Sequence, residues 1–183
     1  MKISDLTPDS ASAIEQVAEL LMEGFADTGS ASWRNLVEAR EEVRHSFQPG
    51  RISRIAIDEQ GGVLGWIGGI EEYDGNVWEL HPLAVQPNMQ SQGIGRALVM
   101  DFEQQVRLRG GLTIVLGSDD EDNMTSLSNI DLYEDLWDKI RNIRNLKNHP
   151  FEFYQKMGYI ISGVVIDANG IGKPDILMSK RVR

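Results

Sequence analysis

The spacing of hydrophobic residues predicts alternating helices and strands along the chain. Apolar residues between Ile14 and Phe25 recur every three or four positions, as on one face of a helix. The run Asp27-Thr28-Gly29-Ser30 breaks this pattern, and further helices are expected over residues 32–47 and 94–108. Short apolar runs beside glycine turns predict strands at residues 52–57, 63–70, 77–85 and 112–116.

The rest of the pattern completes one α/β domain. Helices are expected at residues 132–143 and 151–157, the second ending at Gly158, and strands at 159–166 and 175–179. The order strand, glycine turn, helix, strand between residues 77 and 116 is a βαβ unit, which favours parallel pairing of its strands. Pro82 cannot donate a ladder hydrogen bond, so an edge, a bulge or a local splay is expected within its strand. We therefore predict a single domain over residues 1–183.

Composition narrows the class of partner. A net charge of −10 disfavours nucleic acid and anionic membrane surfaces, since binding to either relies on basic patches. The same charge would attract a cationic substrate, although it can also serve solubility alone. The chain has no cysteine, which excludes a cysteine nucleophile and disulfides. No apolar run is long enough to span a bilayer, and a cytoplasmic location is expected.

The loop from Gln90 to Ala97 carries the most specific chemical signal. It follows a strand and opens a helix, where unpaired backbone N–H groups and the helix dipole favour an anion. Gly93 and Gly95 allow a phosphate to approach the main chain, and Arg96 adds positive charge. The dinucleotide fingerprint lacks its third glycine, because Leu98 stands there, and no Gly-Lys-Ser/Thr run of a P-loop exists. Two glycines in a purely structural turn remain the alternative.

Two motifs resemble those of the GNAT superfamily of N-acetyltransferases, and they occur in the same order along the chain as in that family. Gln90-x-x-Gly93-x-Gly95 after the strand Leu83-Ala84-Val85 is similar to its acetyl-CoA signature, and Phe153-Tyr154-Gln155-Lys156-Met157-Gly158-Tyr159 is similar to its later element. The resemblance implies a single GNAT domain, with a mixed central sheet splayed between two middle strands and flanked by helices. It implies acetyl-CoA as co-substrate, no metal, and direct attack by an amine in a ternary complex.

The resemblance also assigns roles to residues. Leu83, Ala84 and Val85 would align the pantetheine arm, and the Leu83 N–H would polarise the thioester carbonyl. Tyr154 would contact the cofactor and protonate the departing thiolate, although core packing is an alternative for this tyrosine. The cofactor's pyrophosphate would be held by the loop residues Gln90, Ser91, Gln92, Gly93, Ile94, Gly95, Arg96 and Ala97.

Glu79 and His81 are the candidates for accepting the proton of the amine. They occupy alternate positions of one strand and so share a face. Either can act as a base directly or through water. Glu79 can equally serve only as an anchor for a cationic substrate, and His81 can be without a chemical role. The chain has three histidines, well separated in sequence, which makes a metal centre improbable.

A narrower resemblance concerns the acceptor. Trp78-Glu79-Leu80-His81-Pro82-Leu83, Leu116-Gly117-Ser118-Asp119-Asp120 and Asn148-His149-Pro150-Phe151-Glu152-Phe153-Tyr154 look like the aminoglycoside 6′-N-acetyltransferases, an antibiotic-resistance family, in its dimeric chromosomal enterococcal type. The resemblance covers about residues 64–180. It implies a homodimer, and substrate contacts from Trp78, Glu79, Asp120 and Asp122.

Other interpretations remain open at this stage. The acidic run Asp119-Asp120-Glu121-Asp122 can be a solvated loop. A polyamine or a protein or peptide amine can be the acceptor in place of an aminoglycoside. A different class of function is an acetyl-CoA-binding sensor without significant turnover.

Overall fold

The computed structural model describes residues 1–25 and 32–183. The turn expected at Asp27-Thr28-Gly29-Ser30 lies outside the described residues. By their internal contacts the residues group into two compact units, Met1–Ile114 with Val182–Arg183, and Val115–Arg181.

The first unit contains four consecutive antiparallel strands. They are β1 (Lys2–Asp5), β2 (Arg51–Ile57), β3 (Val63–Glu72) and β4 (Val77–Val85), and each pairs with the next. The sequence predicted β2, β3 and β4 but not β1. This strand has four residues and no fully buried position, so it lacks the alternation that identifies a strand.

Three helices belong to this unit: α1 (Ala11–Phe25), α2 (Leu36–His45) and α3 (Ile94–Leu108). Helix α3 has the predicted bounds, and Leu98, Val99, Phe102 and Val106 of its predicted inner face are fully buried. Helix α2 begins later than residue 32. The Asn35 side chain accepts hydrogen bonds from the backbone N–H groups of Val37 and Glu38, which fixes the start of the helix there.

Strand β4 contains the irregularity that Pro82 predicted, and it is a bulge. Gly69 pairs with Leu80 and Ile67 with Leu83, so two residues of β4, His81 and Pro82, lie opposite Gly68 of β3. The His81–Pro82 peptide bond is cis. A Cβ at Gly68 would overlap the carbonyl oxygen of His81, so only glycine fits opposite this bulge.

The second unit contains the remaining elements. Strand β5 (Thr113–Asp119) begins at the end of the first unit, and α4 (Leu136–Arg141), α5 (Phe151–Lys156), β6 (Ile160–Val165) and β7 (Asp175–Arg181) follow. Strand β7 lies between β5 and β6 and pairs antiparallel with β6. The predicted helix over residues 132–143 is reduced to α4, because Asp135 adopts left-handed backbone angles just before it. Gly158 ends α5 with φ of 89°, as predicted.

None of the helices in the described part of the chain is long and apolar enough to cross a membrane. The single domain over residues 1–183 and the splay between two middle strands stay predictions.

Candidate active site

The glycine loop opens helix α3 with its backbone exposed. Gly93 precedes the helix with φ of 86°, and Ser91 also has a positive φ of 60°. The first intrahelical bond runs from the Ala97 N–H to the Gly93 carbonyl, which leaves the N–H groups before Ala97 without a partner inside the helix. Gln90, Ser91, Gln92, Gly93 and Arg96 are exposed. This arrangement of left-handed turns and free N–H groups suits a phosphate.

Strand β4 directs a second set of backbone groups away from β3. The Gln86 N–H donates to the Leu64 carbonyl at 3.0 Å. Because hydrogen-bonded and non-hydrogen-bonded pairs alternate in an antiparallel ladder, the N–H and C=O groups of Leu83 and Val85 point away from β3. Gln90 of the glycine loop donates to the Val85 carbonyl at 3.4 Å. The predicted contacts with pantetheine require this outward orientation.

Glu79 and His81 lie on the less buried face of β4. Trp78, Leu80, Pro82 and Ala84 are the buried positions of this strand, and the residues between them are half-buried or exposed. The alternation agrees with the expectation that Glu79 and His81 share a face.

Trp33 is a residue near this face that sequence reasoning missed. Its ring centroid lies 6.0 Å from that of His81 and 4.7 Å from that of Phe25. Trp33 has φ of 53°, an unusual backbone conformation for a bulky side chain. Local periodicity does not indicate this role, because residue 33 falls within the helix predicted over residues 32–47.

Trp78 lies on the other face of β4 from Glu79. Its side chain is 2% exposed, and the guanidinium of Arg109 lies 6.0 Å from its ring centroid. The structure therefore does not bring this predicted substrate residue together with Glu79. Trp78 therefore packs on the buried face of β4.

In the second unit, the chain itself surrounds Asp120. The carboxylate accepts hydrogen bonds from the Met124 N–H at 2.6 Å, from the Thr125 N–H at 2.8 Å and from the Ser128 hydroxyl, and the residue is fully buried. Burial alone would raise the pKa of Asp120, but these three hydrogen bonds outweigh it and hold the pKa below its ordinary value. The predicted contact of Asp120 with the substrate stays a prediction, and this geometry also gives the carboxylate a role in shaping the loop.

Asp122 has the opposite environment. Its side chain is exposed, and its carbonyl accepts a hydrogen bond from Lys147 at 3.2 Å. Of the two predicted substrate contacts in the acidic run, Asp120 and Asp122, only Asp122 is exposed to solvent.

Tyr154 lies on α5 and is 8% exposed. Its ring packs edge-on against Tyr159, with centroids 5.7 Å apart. Burial raises the pKa of the Tyr154 hydroxyl, which keeps its proton throughout the neutral range.

Three solved structures are similar to the chain along its whole length. No curated protein sequence matches the chain. A crystal structure of an aminoglycoside 6′-N-acetyltransferase complexed with coenzyme A is 41% identical, with a TM-score of 0.91 over 100% of this chain and 98% of that one. The aminoglycoside 6′-N-acetyltransferase from Enterococcus faecium is 40% identical, with a TM-score of 0.89 over the same shares. An aminoglycoside 6′-acetyltransferase type Ii is 34% identical, with a TM-score of 0.77 and the same coverage.

A family model identifies the wider family from the sequence. The model of the acetyltransferase (GNAT) family matches residues 14–136, a stretch that includes β4, the glycine loop and α3. The match confirms the predicted α/β fold class, a GNAT fold with a mixed sheet flanked by helices. The motifs of the loop and the family model agree, and the chain belongs to the GNAT family of acetyltransferases.

Proposed function

We propose that this protein transfers the acetyl group of acetyl-CoA to the 6′-amino group of an aminoglycoside. The observation that carries the proposal is similarity at 34–41% identity along the whole chain to three solved aminoglycoside 6′-acetyltransferases. One of them was solved with coenzyme A, and the geometry of the glycine loop fits that ligand.

The glycine loop and β4 would hold the cofactor. The free N–H groups of the loop and the first turn of α3 would bind its pyrophosphate, assisted by the exposed Arg96. The outward backbone groups of Leu83 and Val85 would pair with the amide groups of pantetheine. Acetyl-CoA supplies the acetyl group as a thioester, which reacts readily with amines.

The residues of the chain would assist the transfer at three points. The amine nitrogen forms a bond to the carbonyl carbon while the carbon–sulfur bond breaks. The Leu83 N–H would stabilise the charge that develops on the carbonyl oxygen, a contribution of about 3 kcal/mol for one such donor. The proton lost by the amine would pass to Glu79 or His81, directly or through water. The departing thiolate would take the proton of the Tyr154 hydroxyl.

The less buried face of β4 would receive the amine. Glu79 offers a carboxylate to an ammonium group, and Trp33 beside His81 offers an aromatic surface for a sugar ring. Asp122 would add a further exposed carboxylate. Asp120 would act indirectly, by fixing the loop that carries Asp122.

Two further expectations belong to this proposal. They are assembly as a homodimer and a cytoplasmic location. A polyamine or a peptide amine as acceptor remains the second candidate, because the same acidic face would also attract those cations. A sensor without turnover is the third, and the measurement below separates it from the other two.

The experiment compares two charge-matched variants. Glu79→Gln should lower kcat/KM for kanamycin 10- to 100-fold, since one charge-assisted hydrogen bond is worth about 1.5–3 kcal/mol. The same variant should leave KM for acetyl-CoA within twofold. Glu72→Gln removes the same charge from an exposed position of β3 and should leave both constants within twofold. Thiol release from acetyl-CoA measures both. Equal effects of the two substitutions would contradict the assignment of Glu79, and no turnover by the unmodified protein with any amine would favour the sensor.

A further inference from the structure

His149 makes a set of contacts that the proposed mechanism does not use. The residue is 1% exposed and lies just before α5, the helix that carries Tyr154. Its Nδ1 accepts a hydrogen bond from the Phe151 N–H at 3.2 Å. Its Nε2 lies 3.1 Å from the carbonyl oxygen of Asp119, at the end of β5. The ring therefore joins the end of a strand to the first residue of a helix.

These two contacts require one protonation state. Nδ1 needs its lone pair to accept from Phe151, so Nε2 must carry the proton and donate to Asp119. A proton on Nδ1 would face the Phe151 N–H, and two donors would oppose each other. Only the neutral ring with its proton on Nε2 makes both hydrogen bonds.

The main chain of His149 is also hydrogen-bonded, by the side chain of Asn145. The Asn145 side chain accepts from the His149 N–H at 2.7 Å and donates to the His149 carbonyl at 2.9 Å. The ring also stacks at a tilt on Phe151, with centroids 5.7 Å apart. The buried imidazole is thus fixed in orientation by groups on both sides.

The position of α5 depends on such contacts because the helix is short. It has six residues, and helices of this length are not stable without tertiary support. The Phe151 N–H has no acceptor within the helix, and His149 supplies one. Tyr154 follows Phe151 by nearly one turn, so a shift at the start of α5 moves the hydroxyl as well.

We propose that His149 is a positioning residue that holds Tyr154 in place for proton donation, and that only its neutral form does so. The inference rests on the acid role proposed for Tyr154. The charged groups that face the ring are Asp119 and Asp120. Burial lowers the pKa of His149 and outweighs the attraction of these carboxylates, which favours the neutral form at pH 7.

The first test is a double-mutant cycle measured as kcat for kanamycin at pH 8. Tyr154→Phe alone should lower kcat at least tenfold. His149→Leu keeps much of the side-chain volume but makes neither hydrogen bond, and should also lower kcat at least tenfold while KM for acetyl-CoA stays within twofold. The double variant should lose little more than either single variant, because the two residues serve one step. Multiplicative losses would overturn the positioning role, whereas an unchanged kcat in Tyr154→Phe would overturn the acid role itself.

The second test does not depend on the stability of the leucine variant. His149→Asn keeps an acceptor near the Phe151 N–H and cannot titrate in this range. In the unmodified protein kcat should fall as the pH drops through the pKa of His149, which burial holds below its ordinary value of 6.5. His149→Asn should lack this part of the fall. His45→Asn removes an exposed histidine of α2 and should leave the profile unchanged. Identical profiles for the unmodified protein and His149→Asn would overturn the proposal.

Discussion

Gly93 controls the proposed phosphate site through its backbone conformation. Its φ of 86° turns the chain into α3, and a Cβ built at this position meets nothing within 4 Å. A side chain here would therefore point into the open space in front of the loop, where we place the pyrophosphate. The requirement for glycine combines a left-handed backbone with an approach path for the ligand.

A matched pair of substitutions separates these two effects. Gly61 has the same φ of 86° and the same open surroundings, but it lies in the turn between β2 and β3. Gly93→Ala and Gly61→Ala should each cost about 1–2 kcal/mol of unfolding free energy, the penalty of a left-handed alanine. Only Gly93→Ala should weaken acetyl-CoA binding, by roughly tenfold in Kd by titration calorimetry. Equal Kd values for the two variants would place the cofactor elsewhere.

At the scale of single residues, chemistry was predictable where a motif fixed it. The residues from Gln90 to Gly93 have the exposed, glycine-dependent geometry that the sequence indicates. Asp120 shows the limit of this reasoning. A run of four acids contains no information about which carboxylate turns inward, and the donors of Met124, Thr125 and Ser128 decide it only in the folded chain.

Among the elements, the loop after β5 is organised by a buried carboxylate. Asp120 connects the end of the strand to Thr125 and Ser128, and its own N–H donates to the Pro174 carbonyl at 2.9 Å. Removing the charge leaves buried donors facing a poorer acceptor, which is costly.

Asp120→Asn should lower the free energy of unfolding at pH 7 by about 1–3 kcal/mol in urea titrations. The depressed pKa of Asp120 means that its stabilisation is present above its ordinary pKa of 3.8 and is lost as the pH falls through the lower folded value. The variant should therefore lose less stability than the unmodified protein in strong acid. Asp9→Asn, at an exposed position, should change stability by no more than about 0.5 kcal/mol. Equal losses for the two variants at pH 7 would contradict the structural role of Asp120.

The sequence predicted long elements better than short ones. Helix α3 has a complete apolar stripe and was found with its bounds, because its periodicity is a local property. Strand β1 forms only by pairing with β2, and α4 is shortened by the left-handed Asp135; neither cause can be read from local periodicity. Trp33 was missed for the same reason, since its contact with His81 joins residues 48 positions apart.

At the scale of the whole molecule, the net charge suits the proposed class of substrate. The net charge of −10 favours approach by a polycation, and aminoglycosides carry several ammonium groups. The similarity to solved aminoglycoside 6′-acetyltransferases covers 100% of the chain, including the residues before 64 that lie outside the resemblance seen in the sequence. The feature that sets the proposed reaction apart is therefore the amine that is acetylated, which is the one at the 6′ position.

Neomycin and paromomycin test this claim directly, because they differ only in an amine or a hydroxyl at the 6′ position. The measurement is thiol release from acetyl-CoA by the purified protein, with spermidine and a lysine-rich peptide in parallel. We expect saturable turnover with neomycin and a kcat/KM at least a hundredfold lower with paromomycin and with both other amines. Equal turnover of neomycin and paromomycin, or turnover confined to spermidine or the peptide, would contradict 6′-acetylation of aminoglycosides.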